Sequence, residues 1–286
     1  MSRFAFLLLG AISPWSGSPA ADELEAPGAY DWSLRGGVEY FRWQELDQSG
    51  SQLVQEKGPR LVLTGAYDNL SGADSGLLLG LEGRVYGGEV DYDGETIETA
   101  QRVNSQTRYF GGRLEGLTGS RIPRLFGEHI DLDLTASLGL EHWLRSILDS
   151  KLDDGTRVMG YDEYYTVVYG KLGLGPVWRR TRGGSIRVNG GMKYPLYTHE
   201  VVDTSSIGFQ EDAKLEPEGR ISGYIGVSAD LRRRTHGTLF MNASYEGYRF
   251  GDSDPDTIRR NDGVLVSVFQ PRIRSDVFSL ELGWRF

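Results

Sequence analysis

Two small groups of side chains in this chain have the types and spacing to do chemistry. His199 is followed by Glu200 and, a little further on, Asp203, while Asp91 and Asp93 stand two apart far upstream. An imidazole facing carboxylates can draw a proton from water and turn it on a carbonyl, so a hydrolytic site would be built from His199, Asp91 and Asp93. A third stretch, Asp252-Ser253-Asp254-Pro255-Asp256, spaces three carboxylates like the opening of a calcium loop. It lacks the glycine at the sixth position and the glutamate at the twelfth that such a loop needs. The chain has no cysteine, so disulfides, thiolate nucleophiles and thiolate metal sites are excluded. No phosphate-binding loop, Gly-x-Ser-x-Gly or His-Glu-x-x-His motif occurs. Neither a metal nor any other cofactor is expected, and no catalytic residue is assigned outside the hydrolase alternative.

The elements that would hold these groups are extended. In the segment Val277 to Phe286, the residues Phe278, Leu280, Leu282, Trp284 and Phe286 share one face of a strand, and Ser279, Glu281, Gly283 and Arg285 share the other. A strand with charge on one side and only large apolar groups on the other is not buried on both faces. It suits a wall between hydrocarbon and a polar interior. Ile130, Leu132, Leu134, Ala136, Leu138 and Leu140 alternate in the same way with Asp131, Asp133, Thr135, Ser137, Gly139 and Glu141. The pattern recurs along the chain and predicts about ten strands. The first runs from about Ala29 to Gln44, and the last is a long one over Val264 to Phe286, kinked or bulged at Pro271. Long polar connections, such as Asp47 to Gly58 and Leu148 to Asp162, alternate with short turns such as Arg182-Gly183-Gly184. The fold class predicted is all-β, a transmembrane antiparallel up-and-down β-barrel.

The N-terminus adds a compartment. Arg3, the apolar run Phe4 to Ile12 and the small residues around Ser18-Pro19-Ala20-Ala21 read as a secretory signal over residues 1–21, leaving one barrel domain over 22–286. No later segment approaches the roughly 18 consecutive apolar residues of a membrane helix. With 39 glycines, 15 tyrosines and a mean hydropathy of -0.38, the composition is too polar for a helical membrane protein and right for a barrel, half of whose strand faces meet water. A net charge of -9 argues against nucleic acid as a partner.

An alternating final strand ending on Trp284 and Phe286 resembles the assembly signal of bacterial outer-membrane β-barrels. That resemblance implies residence in the outer membrane, exposed at the cell surface of a Gram-negative envelope, with lipid, lipopolysaccharide and the barrel-assembly machinery as partners. Trp32, Trp178 and Trp284 would form an aromatic belt at the turn end, and Trp43 and Trp143 a second one at the loop end. Arg35, Glu39, Glu82, Arg84, Arg113, Glu115, Asp131, Asp133, Glu141, Lys171, Arg187, Lys193, Arg220, Asp230, Glu246, Glu281 and Arg285 would line the lumen. With both signs present they form a salt-bridged plug, or, with water between them, a narrow conduit for ions or small solutes. A non-enzymatic barrel, structural or porin-like, is the expected function. In strand order the chain is also similar to the outer-membrane proteases called omptins, which pair two Asp near one loop with an Asp-His pair near another. Here no Asp stands two residues before His199, and the parity of the third strand turns Asp91 and Asp93 to the outside unless a bulge intervenes. The remaining alternative is an adhesin or receptor acting through acidic loops.

Overall fold

The alternating segments close into one ring. The computed structural model describes residues 30–71, 76–95, 101–152, 154–180 and 184–286, so the expected signal segment, 1–21, lies outside the described residues. Ten long strands build the barrel: β1 (Asp31–Leu46), β2 (Gln52–Asp68), β3 (Gly76–Glu95), β4 (Arg102–Ile122), β5 (Ile130–Ile147), β6 (Asp162–Arg179), β7 (Ser185–Val202), β8 (Ser222–Arg234), β9 (Gly237–Phe250) and β10 (Arg272–Arg285). Each is antiparallel to its sequence neighbour, and β10 returns to β1 in a register running from Ser33 opposite Arg285 to Leu46 opposite Arg272. Just beyond it the Phe286 N–H donates to the Trp32 carbonyl at 2.8 Å. Closure leaves the ring without an edge, the condition for β-structure to cross hydrocarbon, where a bare backbone group finds no water.

The outer wall carries the apolar parity read from the sequence. Leu61, Leu138 and Leu172 are 69%, 60% and 60% exposed, and Leu34, Val38, Leu114, Leu280 and Leu282 stand around the same belt. These are aliphatic side chains, and they face away from the molecule. In water that would be a large unfavourable surface; against lipid it is the expected one.

Three expectations need correction. The last barrel strand does not begin at Val264: Leu265–Val268 pairs with Asp256–Arg259 in a separate surface hairpin, and β10 starts at Arg272. Pro271, with no N–H to give to a ladder, marks the break. The loop-end tryptophan belt does not exist either. Trp32, Trp178 and Trp284 lie on the outer wall at the turn end, but Trp43 and Trp143 are buried in the lumen. Their odd positions on β1 and β5 follow the inward parity of Glu39 and Glu141. Finally, Arg220 does not line the lumen. It is exposed on the short strand Gly219–Arg220 at the loop end, 3.9 Å from Glu218.

Candidate functional site: a charged and aromatic lumen

The inward faces stack into tiers. At the turn end Arg121 donates to both oxygens of Asp133, at 2.6 and 2.8 Å, while Asp131 takes Arg179 at 2.6 Å and Asp230 takes Arg285 at 3.0 Å. Arg121 and Arg187 both donate to the Leu70 carbonyl, which holds the segment after β2 against the lumen.

The middle tier is a lattice of opposite charges. Glu82 lies between Arg35 at 2.5 Å and Arg113 at 3.0 Å; Glu39 lies between Arg60 at 2.5 Å and Arg84 at 2.6 Å. Glu281 accepts from Thr64 and sits 3.2 Å from Arg35. Glu246 receives Arg113, Lys171 and Lys193, and Glu115 receives Lys171 and Tyr169. Each ion has a partner from another strand, which is what offsets the several kcal/mol that desolvating an ion costs. Between the two tiers remains a cavity of about 240 Å³, reached by Arg35, Glu82, Arg113, Glu115, Asp133, Lys171 and Arg187. It is polar and large enough to hold ordered water.

Toward the loop end the lumen is filled with rings. Trp143 stacks on Tyr165 with centroids 4.8 Å apart, Trp43 meets both edge-on, and Phe41 packs on Tyr109 at 4.7 Å. Arg60 lies 3.9 Å over Phe41, and Lys193 3.1 Å over Tyr248. Glu141 accepts from the Tyr86 and Tyr248 hydroxyls at 2.7 and 2.5 Å. Inward glycines make the room: a Cβ at Gly139 would meet the Tyr169 ring at 2.2 Å, and one at Gly111 would meet Trp143 and Tyr86 at 2.7 Å.

Above the rings stands a group of buried acids. Arg145 lies 3.0 Å from Glu45, 2.7 Å from Glu56 and 2.6 Å from Glu163, and Glu56 also accepts from Tyr109 and Thr107. Glu200, directly opposite Tyr165 in the β6–β7 ladder, is fully buried, yet neither of its oxygens accepts a hydrogen bond of normal geometry among the described residues. Glu45, Glu56, Arg60, Arg145, Glu163 and Glu200 were not anticipated as interior residues. For Glu45, Glu56 and Arg145 the signal was the inward parity of their strands carried past the expected strand ends, and for Arg60 and Glu163 the parity of the strand itself; Glu200 runs against the parity of its strand and had no such signal.

The hydrolase residues are not brought together. Asp91 is exposed on the outer wall, and Asp93 is tied to Arg102 at 2.5 Å on that same wall. His199 stacks on Tyr197, its Nδ1 4.0 Å from Glu216. A bulge in β7 decides this. Val168 pairs with Tyr197 and Tyr169 with Pro195, leaving Leu196 unopposed, so Leu196 and Tyr197 both face out and every later residue changes side. Without the bulge His199 would point inward and Glu200 outward. The calcium-like run holds no metal site either; among the described residues no three His, Cys, Asp or Glu side chains could hold an ion.

No protein-family model matches the chain, and no curated protein does. Solved structures do. The outer membrane protease OmpT from Escherichia coli superposes with a TM-score of 0.60 at 12% identity, over 91% of this chain and 97% of that one. The translocator domain of the autotransporter NalP from Neisseria meningitidis gives 0.43 at 13% identity, over 93% of this chain and 92% of that one. At 12% identity the likeness to the protease is one of fold, that of the closed ten-stranded antiparallel β-barrel seen here, whose exposed apolar belt is the one a barrel in the outer membrane presents to lipid.

Proposed function

We propose that the protein is a non-enzymatic outer-membrane barrel whose lumen is sealed, a rigid support for the surface carried at its loop end. The observation behind this reading is the ring tier: Trp43, Tyr165, Tyr169 and Phe250 are wholly buried where a conduit would need water. An ion passing the arginines and glutamates of the middle tier would meet packed aromatics, and conduction needs a wetted path. The alternative of an omptin-like protease has the fold in its favour but not the site, since His199, Asp91 and Asp93 stand on the outer wall. Insertion by the barrel-assembly machinery belongs to the same proposal.

Reconstitution into planar bilayers tests it. The native protein should give no unitary current, and the double variant Trp43→Ala, Tyr165→Ala should give measurable steps once the rings are removed. Steady conductance from the native protein would overturn the sealed-lumen reading.

A further inference from the structure

The surface hairpin at the loop end has one finished edge and one open edge. Its strands, Asp256–Arg259 and Leu265–Val268, pair with Ile258 opposite Val266, and the Arg260 N–H donates to the Val264 carbonyl at 2.8 Å. Hydrogen-bonded pairs recur at every second residue of an antiparallel ladder. Val264, Val266 and Val268 therefore use their backbone groups inside the hairpin, and Leu265 and Ser267 turn theirs away from it. On the first strand the outward groups are met: the Arg259 carbonyl accepts from the Gln210 N–H at 2.8 Å, and the Arg259 N–H donates to the Glu211 carboxylate at 3.2 Å. On the second strand they are not. Leu265–Val268 pairs with no strand but Asp256–Arg259, and the backbone groups of Leu265, Ser267 and Phe269 take no hydrogen bond among the described residues. The side chains divide in the same way. Val268 packs on the buried Val202, Ala213, Leu215 and Ile258, while Leu265 and Phe269 are exposed, at 59% and 52%. Lipid does not account for that exposure, because Arg272, Arg274 and Asp276 lie between these residues and Phe278, where the apolar belt begins on β10.

An edge with bare backbone groups and large apolar side chains is a template for another strand. We infer that the strand it takes is its own copy in a second molecule, paired antiparallel about a two-fold axis through Ser267. In that register Ser267 stands opposite the partner's Ser267 and Leu265 opposite the partner's Phe269, so the outward N–H and C=O groups of all three residues are bonded at once. The Leu265–Phe269 contact forms twice, an aliphatic side chain on an aromatic one across the strands. Charge agrees with the same axis. Asp262 stands five residues before Ser267 and Arg272 five after it, which brings the aspartate of each copy toward the arginine of the other. A strand of unrelated sequence would satisfy the backbone but not these pairs. The inference goes beyond the sealed-lumen reading without depending on it, since a conducting barrel would carry the same edge; bilayer currents and the cross-link below fail separately.

The chain has no cysteine, which makes the test direct. A thiol introduced by Ser267→Cys lies on the axis, where opposed Cα atoms about 5.5 Å apart are within the span of a disulfide. In detergent micelles, where copies can meet in any orientation, mild oxidation of folded Ser267→Cys should convert most of the protein to a dimer that reductant separates. Adding Phe269→Glu should lower the dimer fraction at least about fivefold, since both cross-strand pairs are lost. Thr257→Cys, exposed on the other strand of the hairpin, should stay monomeric under the same oxidation. Oxidised Ser267→Cys that remains monomeric, a dimer fraction unmoved by Phe269→Glu, or equal cross-linking of Thr257→Cys by random collision would each overturn the pairing.

Discussion

A carboxyl group fully buried without a hydrogen bond of normal geometry is expensive, and Glu200 is one. It lies beside Glu163, whose charge Arg145 already shares with Glu45 and Glu56. Replacing a poorly satisfied buried polar group by an apolar group of similar volume is commonly neutral or stabilising. Glu200→Met should therefore raise the denaturant midpoint of the barrel, and a lowered midpoint would mean that Glu200 has a partner. Arg145 is the opposite case. Its loss strands three glutamates, so Arg145→Met should destabilise by about 3–5 kcal/mol, read in the same unfolding experiment. The two substitutions act on one pocket, and opposite outcomes are expected because only one of them leaves ions without a counter-charge.

At the level of the strand, parity was the legible quantity and its interruptions were not. The outward set on β5, from Leu132 to Leu140, could be read because period two is imposed by the backbone and the lipid accepts one kind of side chain. The same rule carried the inward charges from Arg35 to Glu281, of which Arg220 alone stands exposed at the loop end. It failed where the chain inserts a residue. Nothing in Tyr194-Pro195-Leu196-Tyr197 announces a bulge, since Leu and Tyr are at home on either side of it, and so the orientation of His199 could not be read. The interior acids were missed for another reason: Glu45 and Glu163 lie on strand ends above the membrane, where polar side chains occur on both faces and the contrast that reveals a strand fades. Deleting Leu196 tests the bulge. Restored parity would turn Glu200 out and His199 in, and new solvent protection of His199 against alkylation should follow; unchanged reactivity would refute the assignment. The surface hairpin Ser150–Lys151 with Arg157–Val158 has its own switch. The exposed Asp149 carboxyl is held below its ordinary value first by the Gly160 N–H and then by Arg157. A lowered folded value means that the contribution is complete above the ordinary value of about 3.9 and is lost as pH falls through the lowered one. Proteolytic nicking of this loop should be slow at pH 5 and rise only below about pH 4, and Asp149→Asn should be nicked equally at both.

The whole molecule is inverted relative to a soluble protein: its ions are inside and its hydrocarbon is outside, so its stability depends on what surrounds it. Arg113, Lys171 and Glu246 from β4, β6 and β9 meet across the lumen, tying together strands that share no ladder. That cross-bracing fixes the cross-section, and the ladder from β1 to β10 fixes the circumference. What neither can supply is a reason for the leucines to face outward; only the lipid supplies that. A charge placed on the outer wall should therefore be penalised by depth and not by burial within the protein. Leu280 faces Val38 and Ala243 midway along the belt, whereas Ile122 ends β4 at its turn side. Both are exposed, at 52% and 38%, so a barrel standing in water would accept arginine at either with little change. In a bilayer Leu280→Arg should cost about 2–4 kcal/mol and Ile122→Arg about 0–1 kcal/mol, because an arginine near the interface reaches water and one at the midplane does not. Denaturant unfolding in liposomes, set against the same pair in detergent micelles, separates the cases. A difference between the two positions that widens in the liposomes places lipid against the wall, and equal values in both media would mean that the belt faces something else.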